Sequence, residues 1–183
     1  FELINPEDDP RYRDYVDLLV KLAGRRGYTQ EAARTAVRTD ATLIAALAVK
    51  RGDADAMICG LEGRFERHLR HVNVIIGRRP GVRDRDLSAL SMLIWQRGIT
   101  FFTDTYVTVD PSAEEIAEMT ILAAEEIRRF GIEPKAALLS HSNFGSRDSA
   151  AALKMRRAAE MLKRIAPELV SDGEMHGDSA LSE

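Results

Sequence analysis

Ala136-Ala137-Leu138-Leu139-Ser140-His141-Ser142-Asn143-Phe144-Gly145-Ser146 is the stretch on which the fold turns. Apolar residues run directly into a loop of serine, asparagine and glycine, and a helical pattern follows from Ser149 to Ala166. That order describes a buried strand, a polar turn and a helix. In an α/β protein the carboxyl ends of strands are where ligands sit. Small hydroxyl and amide side chains with a glycine let backbone N–H groups approach an anion such as phosphate. The alternative is an ordinary polar strand-to-helix turn, and spacing does not separate the two.

Upstream of that strand lies the strongest helical signal, Ala113 to Phe130. Ser112 and Glu115 form a capping-box pattern, Arg128 and Arg129 complement the last turn, and Gly131 closes it. Downstream, Pro167 ends the next helix, and Leu169 to Asp172 predicts a final strand. Nearer the N-terminus, helices are expected over Arg11 to Ala23, over Gln30 to Arg38 behind a Thr29 cap, and from about Ala41 to Lys50 before Gly52. Ala56 to Cys59 predicts a short buried strand and Glu62 to Ile76 another helix, broken by Pro80 and Gly81. Leu87 to Trp95 fits either type, and Ile99 to Thr105 a strand. Strands alternating with helices of this length predict an α/β fold, a largely parallel sheet with helices on both faces.

The chain has 183 residues with 45% hydrophobic and 30% charged, enough for one good core or two small lobes. A net charge of −3 supplies no broad positive field, which argues against nucleic acid as a partner. The single cysteine, Cys59, sits in an apolar run and forms no internal disulfide. No apolar run is long enough to span a membrane, and the chain reads as cytoplasmic. It begins at Phe1 without Met and stops just after an expected strand, so it reads as a fragment of a longer polypeptide.

Arg64, Arg67 and Arg70 recur at three-residue spacing along one side of a helix, with Arg78 and Arg79 close behind. They suit phosphate or carboxylate through planar hydrogen bonds, or form a solvated face paired with Glu62 and Glu66. His68 and His71 have a spacing that can hold a metal but no acidic or cysteine partner nearby in sequence, so no metal is assigned. His141 is either a ligand contact or a structural loop residue. No Gly-x-Ser-x-Gly elbow activates Ser140, Ser142 or Ser146. Neither Gly-x-Gly-x-x-Gly nor Gly-x-x-x-x-Gly-Lys-[Ser/Thr] occurs. Asp53, Asp55, Asp172 and Glu174 lie in turns or at strand ends and read as structural carboxylates.

Several segments resemble the phosphate acetyl/butyryltransferase family in family order. They are Gly52 to Gly60, Asp104 through Glu114, Phe130 through Ser142, and Asp172-Gly173-Glu174 with Asp178. The loop Ser140 to Ser146 is most similar to the transferase-like C-terminal domain of large bacterial NADP-dependent malic enzymes. Where authentic transferases carry a His-Thr-Thr run, this chain has Glu62-Gly63-Arg64-Phe65-Glu66-Arg67. The family's catalytic Ser-Arg pair falls in a later segment, so this fragment is expected not to transfer an acyl group alone.

The resemblance implies a three-layer, two-lobed phosphotransacetylase-like fold of the isocitrate-dehydrogenase type. The first lobe is expected over 1–110 and the second, incomplete, over 111–183. It implies an acetyl-CoA or phosphate site at Arg70, Ser140, His141, Ser142, Asn143, Gly145 and Ser146. The implied role is to sense acetyl-CoA and to assemble a homo-oligomer beside an N-terminal domain that decarboxylates malate with NADP and Mg or Mn. An active acyltransferase and a catalytically dead dimerisation module are the alternatives.

Overall fold

The computed structural model describes residues 3–80, 87–96 and 98–181. It divides into two units, Phe1–Gly81 and Val82–Glu183, each taken by itself here.

The first unit is helical. Helix α1 is Tyr12–Ala23, α2 Gln30–Thr39, α3 Ala41–Arg51 and α4 Phe65–His71, which continues into a π-helical turn, Val72–Ile76. Thr29 caps α2 by accepting the Ala32 N–H, as its sequence position predicts. Helix α3 buries Leu43, Ile44, Ala46, Leu47 and Ala48 because it is the central element, packed by α1, α2 and α4. Tyr15, Leu19, Val37 and Ile75 complete the core around it.

Ala56 to Cys59 departs from expectation. The segment forms no strand, Ile58 is 99% exposed, and Cys59 faces solvent. A strand exists only where a neighbour supplies ladder hydrogen bonds, and none lies alongside among the described residues. Only Ala54 and Met57 pack against the helical core.

The second unit is mixed. Strands β1, Ser91–Trp95, and β2, Gly98–Phe102, form an antiparallel hairpin. Helix α5, Ala113–Arg129, carries the predicted capping box in full. Strand β3, Lys135–Leu139, runs parallel to β4, Val170–Met175, across helix α6, Ala150–Ile165; a short helix α7, Gly177–Leu181, follows. Helices α5 and α6 pack on the face of β3 that carries Ala136 and Leu138. Lys135, Ala137 and Leu139 on the other face are exposed. The described residues thus hold two two-stranded sheets rather than one large parallel sheet.

Residues 87–108 fold back on themselves: Asp104 accepts the Ala89 N–H at 2.8 Å, and the Thr108 hydroxyl donates to the Leu87 carbonyl at 3.3 Å. Phe101 packs against Phe130, past the end of α5, with the ring centroids 5.8 Å apart and the planes tilted by 43°.

Candidate functional site

The loop after β3 is where the sequence places the site, and it is built around a residue from another strand. Ser142, 0% exposed, donates its hydroxyl to Glu174 Oε1 at 2.8 Å. The Gly145 N–H donates to the same oxygen at 2.9 Å. Arg156 of α6 brings Nε to 3.2 Å from Glu174 Oε2, an ion pair rather than an aligned hydrogen bond. The backbone closes the arrangement: Ser140 N–H donates to the Met175 carbonyl, and Phe144 N–H to that of Glu174. Phe144 and Gly145 both take positive φ, 45° and 86°, which turns the Gly145 N–H inward.

Burial alone would raise the Glu174 carboxyl. The Gly145 N–H, the Ser142 hydroxyl and the Arg156 guanidinium outweigh burial and hold it below the usual carboxylate range. The loop therefore encloses an internal anion. The negative charge that the Gly145 N–H and the Ser142 hydroxyl meet belongs to the chain itself.

Other loop groups are also engaged. Asn143 donates its amide to Ser179 Oγ at 3.2 Å and accepts the His176 N–H at 3.1 Å. The Asn143 N–H donates to Ser146 Oγ at 2.9 Å. Exposed His141 places Nε2 2.9 Å from Ser149 Oγ, the hydroxyl that also caps α6. The outward surface of the loop is formed by His141, Phe144, Gly145 and Ser146.

Arg70 is exposed on α4, in the first unit, while the loop lies in the second. Its neighbours are fixed structurally. Arg67 donates through Nη2 and Nε to Asp40 Oδ2, at 2.7 and 3.1 Å, and buried His71 donates through Nε2 to the same oxygen at 2.9 Å. Asp40 meanwhile caps α3 through the Leu43 N–H. Burial would raise the Asp40 carboxyl; the Leu43 N–H, Arg67 and His71 bring it below the usual range. His68 donates from Nε2 to the Glu62 carbonyl and meets Thr42 at Nδ1. The basic face of α4 thus divides into an inward half that ties two helices together and an outward half that keeps Arg70.

Sequence reasoning read Glu174 only as a structural carboxylate and did not connect it with the loop. The available signal was Asp172-Gly173-Glu174 at the end of the strand expected beside β3. The second unit also holds a cavity of about 570 Å³ between β2, α5 and β3, with Asp104 in its wall. Burial would raise that carboxyl too, but the N–H groups of Ala89, Thr108, Val107 and Tyr106 keep it low.

Comparison with known proteins agrees with this architecture. An NAD-dependent malic enzyme of Rhizobium meliloti is 67% identical over all of this chain and 24% of its own length. An NADP-dependent malic enzyme of Escherichia coli is 50% identical over the same shares. The chain spans about a quarter of these relatives, 24% in each. A phosphotransacetylase from Streptococcus pyogenes superposes with a TM-score of 0.84 at 29% identity, over 97% of this chain and 54% of that one. The sequence pattern of the phosphate acetyl/butaryl transferases runs through residues 1–183 without a break, and this chain belongs to that family.

Proposed function

We propose that the chain is the transferase-like domain of a malic enzyme, and that it senses acetyl-CoA and helps to assemble the oligomer. The observation that carries the malic-enzyme part of this reading is the gap in identity. Two malic enzymes match at 67% and 50% over the full chain, against 29% for the streptococcal phosphotransacetylase. The parent would oxidise and decarboxylate malate with NAD or NADP, since relatives of both kinds match.

We assign nucleotide and divalent metal to the rest of that polypeptide, because the transferase family pattern takes up residues 1–183. No described helix is long and apolar enough to cross a membrane. We place the parent in the cytoplasm, where a lone thiol such as Cys59 stays reduced.

The residues assigned to acetyl-CoA or phosphate are Arg70, Ser140, His141, Ser142, Asn143, Gly145 and Ser146. Arg70 offers an exposed guanidinium, suited to phosphate. Ser142 and the Gly145 N–H act from beneath, shaping the loop through Glu174, while His141, Gly145 and Ser146 present its outer surface. Regulation then requires that acetyl-CoA bind one state of the oligomer better than another.

The test is NAD(P)H formation from malate by the full-length parent, with and without acetyl-CoA. Slower oxidation with acetyl-CoA is the expected result. Oxidation indifferent to acetyl-CoA leaves an assembly module, and acetyl phosphate formation without malate oxidation makes the parent a transferase.

A further inference from the structure

Taking Arg70 as a contact for acetyl-CoA or phosphate, as proposed above, we infer that His68 is the positioning residue of that site. Its ring braces the turn that leads into α4, and so holds two outward guanidiniums, Arg64 and Arg70, on one rigid element.

Residues 53–64 form no helix or strand, and Gly60 and Gly63 take positive φ, 109° and 95°. Helix α4 then starts without a side-chain cap, since Arg64 at its N-cap makes no such bond. An uncapped entry leaves the first turn loosely held. Here His68, in that first turn, holds it from the side. Its Nε2 lies 2.7 Å from the Glu62 carbonyl oxygen, and its Nδ1 lies 2.8 Å from Thr42 Oγ1. A carbonyl only accepts, so Nε2 carries a proton. The Thr42 hydroxyl turns to suit Nδ1, donating to a neutral ring and accepting from a charged one. The brace therefore holds in either charge state. Thr42 is buried in the first turn of α3, the central helix of the unit, so the brace has a fixed foot. Gly63 lets the ring approach: a Cβ there would lie 3.3 Å from Nε2.

This brace sets the direction of Arg64. The Arg67 and His68 N–H groups donate to the Arg64 carbonyl at 3.0 and 3.4 Å. With Glu62 held on one side and the helix on the other, the Arg64 backbone has little freedom. Arg67 and His71 tie the rest of α4 to Asp40. Arg64 and Arg70 are exposed and have no ion pair among the described residues. Six residues separate them, about 9 Å along a helix axis. Two guanidiniums at that separation suit a ligand with several phosphate groups. Ordering loops and long side chains on binding costs affinity, so an entry held in advance binds more tightly.

The experiment uses the full-length parent and two substitutions at one position. His68→Gln puts an amide N–H where Nε2 stands and keeps the bond to Glu62. His68→Asn reaches only the Nδ1 position, so it keeps Thr42 and frees the turn. Both remove the imidazole, and a merely structural loss would move both alike. Acetyl-CoA and inorganic phosphate are each titrated calorimetrically. Binding about tenfold weaker is expected in His68→Asn, with His68→Gln within about twofold of the unsubstituted parent. Without ligand, amide exchange over residues 61–65 should rise in His68→Asn and not in His68→Gln. Thr42→Val removes the foot of the brace, leaves the ring, and should weaken binding in the same direction. Equal affinity in all the variants, equal loss in both His68 variants, or unchanged exchange in His68→Asn overturns the proposal. A parent that binds neither probe overturns it together with the assignment of Arg70. Phosphate binding alone, with the same order among the variants, removes acetyl-CoA sensing and leaves His68 in its role.

Discussion

Ser142 and Glu174 meet at 2.8 Å with both residues buried, one from the loop after β3 and the other from the end of β4. One carboxylate oxygen thus takes both the Ser142 hydroxyl and the Gly145 N–H, and the shape of the candidate loop depends on it.

Replacing Glu174 by Gln tests that dependence. The Ser142 hydroxyl and the Gly145 N–H lose a charged acceptor while Arg156 keeps Asp148 as a partner, and the predicted loss of stability is about 2–3 kcal/mol by chemical denaturation. Ser142→Ala removes one donor and should cost less, about 1–2 kcal/mol.

The pH dependence has a definite sign. The folded Glu174 carboxyl lies below its ordinary value, so its contribution is complete above the unfolded pKa, about 4.3. It is lost as pH falls through the folded value. Acid titration of stability should therefore be shallower in Glu174→Gln than in the unsubstituted chain, and parallel curves would remove Glu174 from the account.

Gly173→Ala should disrupt the β3–β4 pair. Gly173 has φ +131°, and a Cβ there would lie 2.7 Å from the Leu138 carbonyl oxygen. Backbone cannot move aside as a side-chain tip can, so a loss of about 2 kcal/mol or more is expected. The checks are the melting temperature and faster amide exchange in β3.

Asp40 separates two roles by one pair of substitutions. Asp40→Asn keeps an oxygen to cap α3 but loses the charge facing Arg67 and His71; Asp40→Ala loses both. Losses of about 1–2 and 2–4 kcal/mol are predicted, in that order. Equal losses would mean that the cap carries none of it.

Arg70→Ala in the parent should weaken the response to acetyl-CoA more than Arg78→Ala. Identical titration curves for the two variants would take Arg70 out of the site.

Local chemistry was legible in the sequence. Thr29, Ser112 and Ser149 mark helix starts because a cap acts on N–H groups only three residues away. Strand β3 falls where its apolar run predicts, and the loop after it occupies the expected place. What the sequence left open depends on residues far along the chain. Ala56 to Cys59 has the composition of a strand, yet it stays exposed without a neighbour to bond. Glu174 and Ser142 are thirty-two positions apart, and Asp40 lies twenty-seven from Arg67. Periodicity and capping report each residue's few nearest neighbours. Which distant carboxylate meets which donor is decided when strands pair and helices pack, because only then does burial make an unpartnered polar group costly.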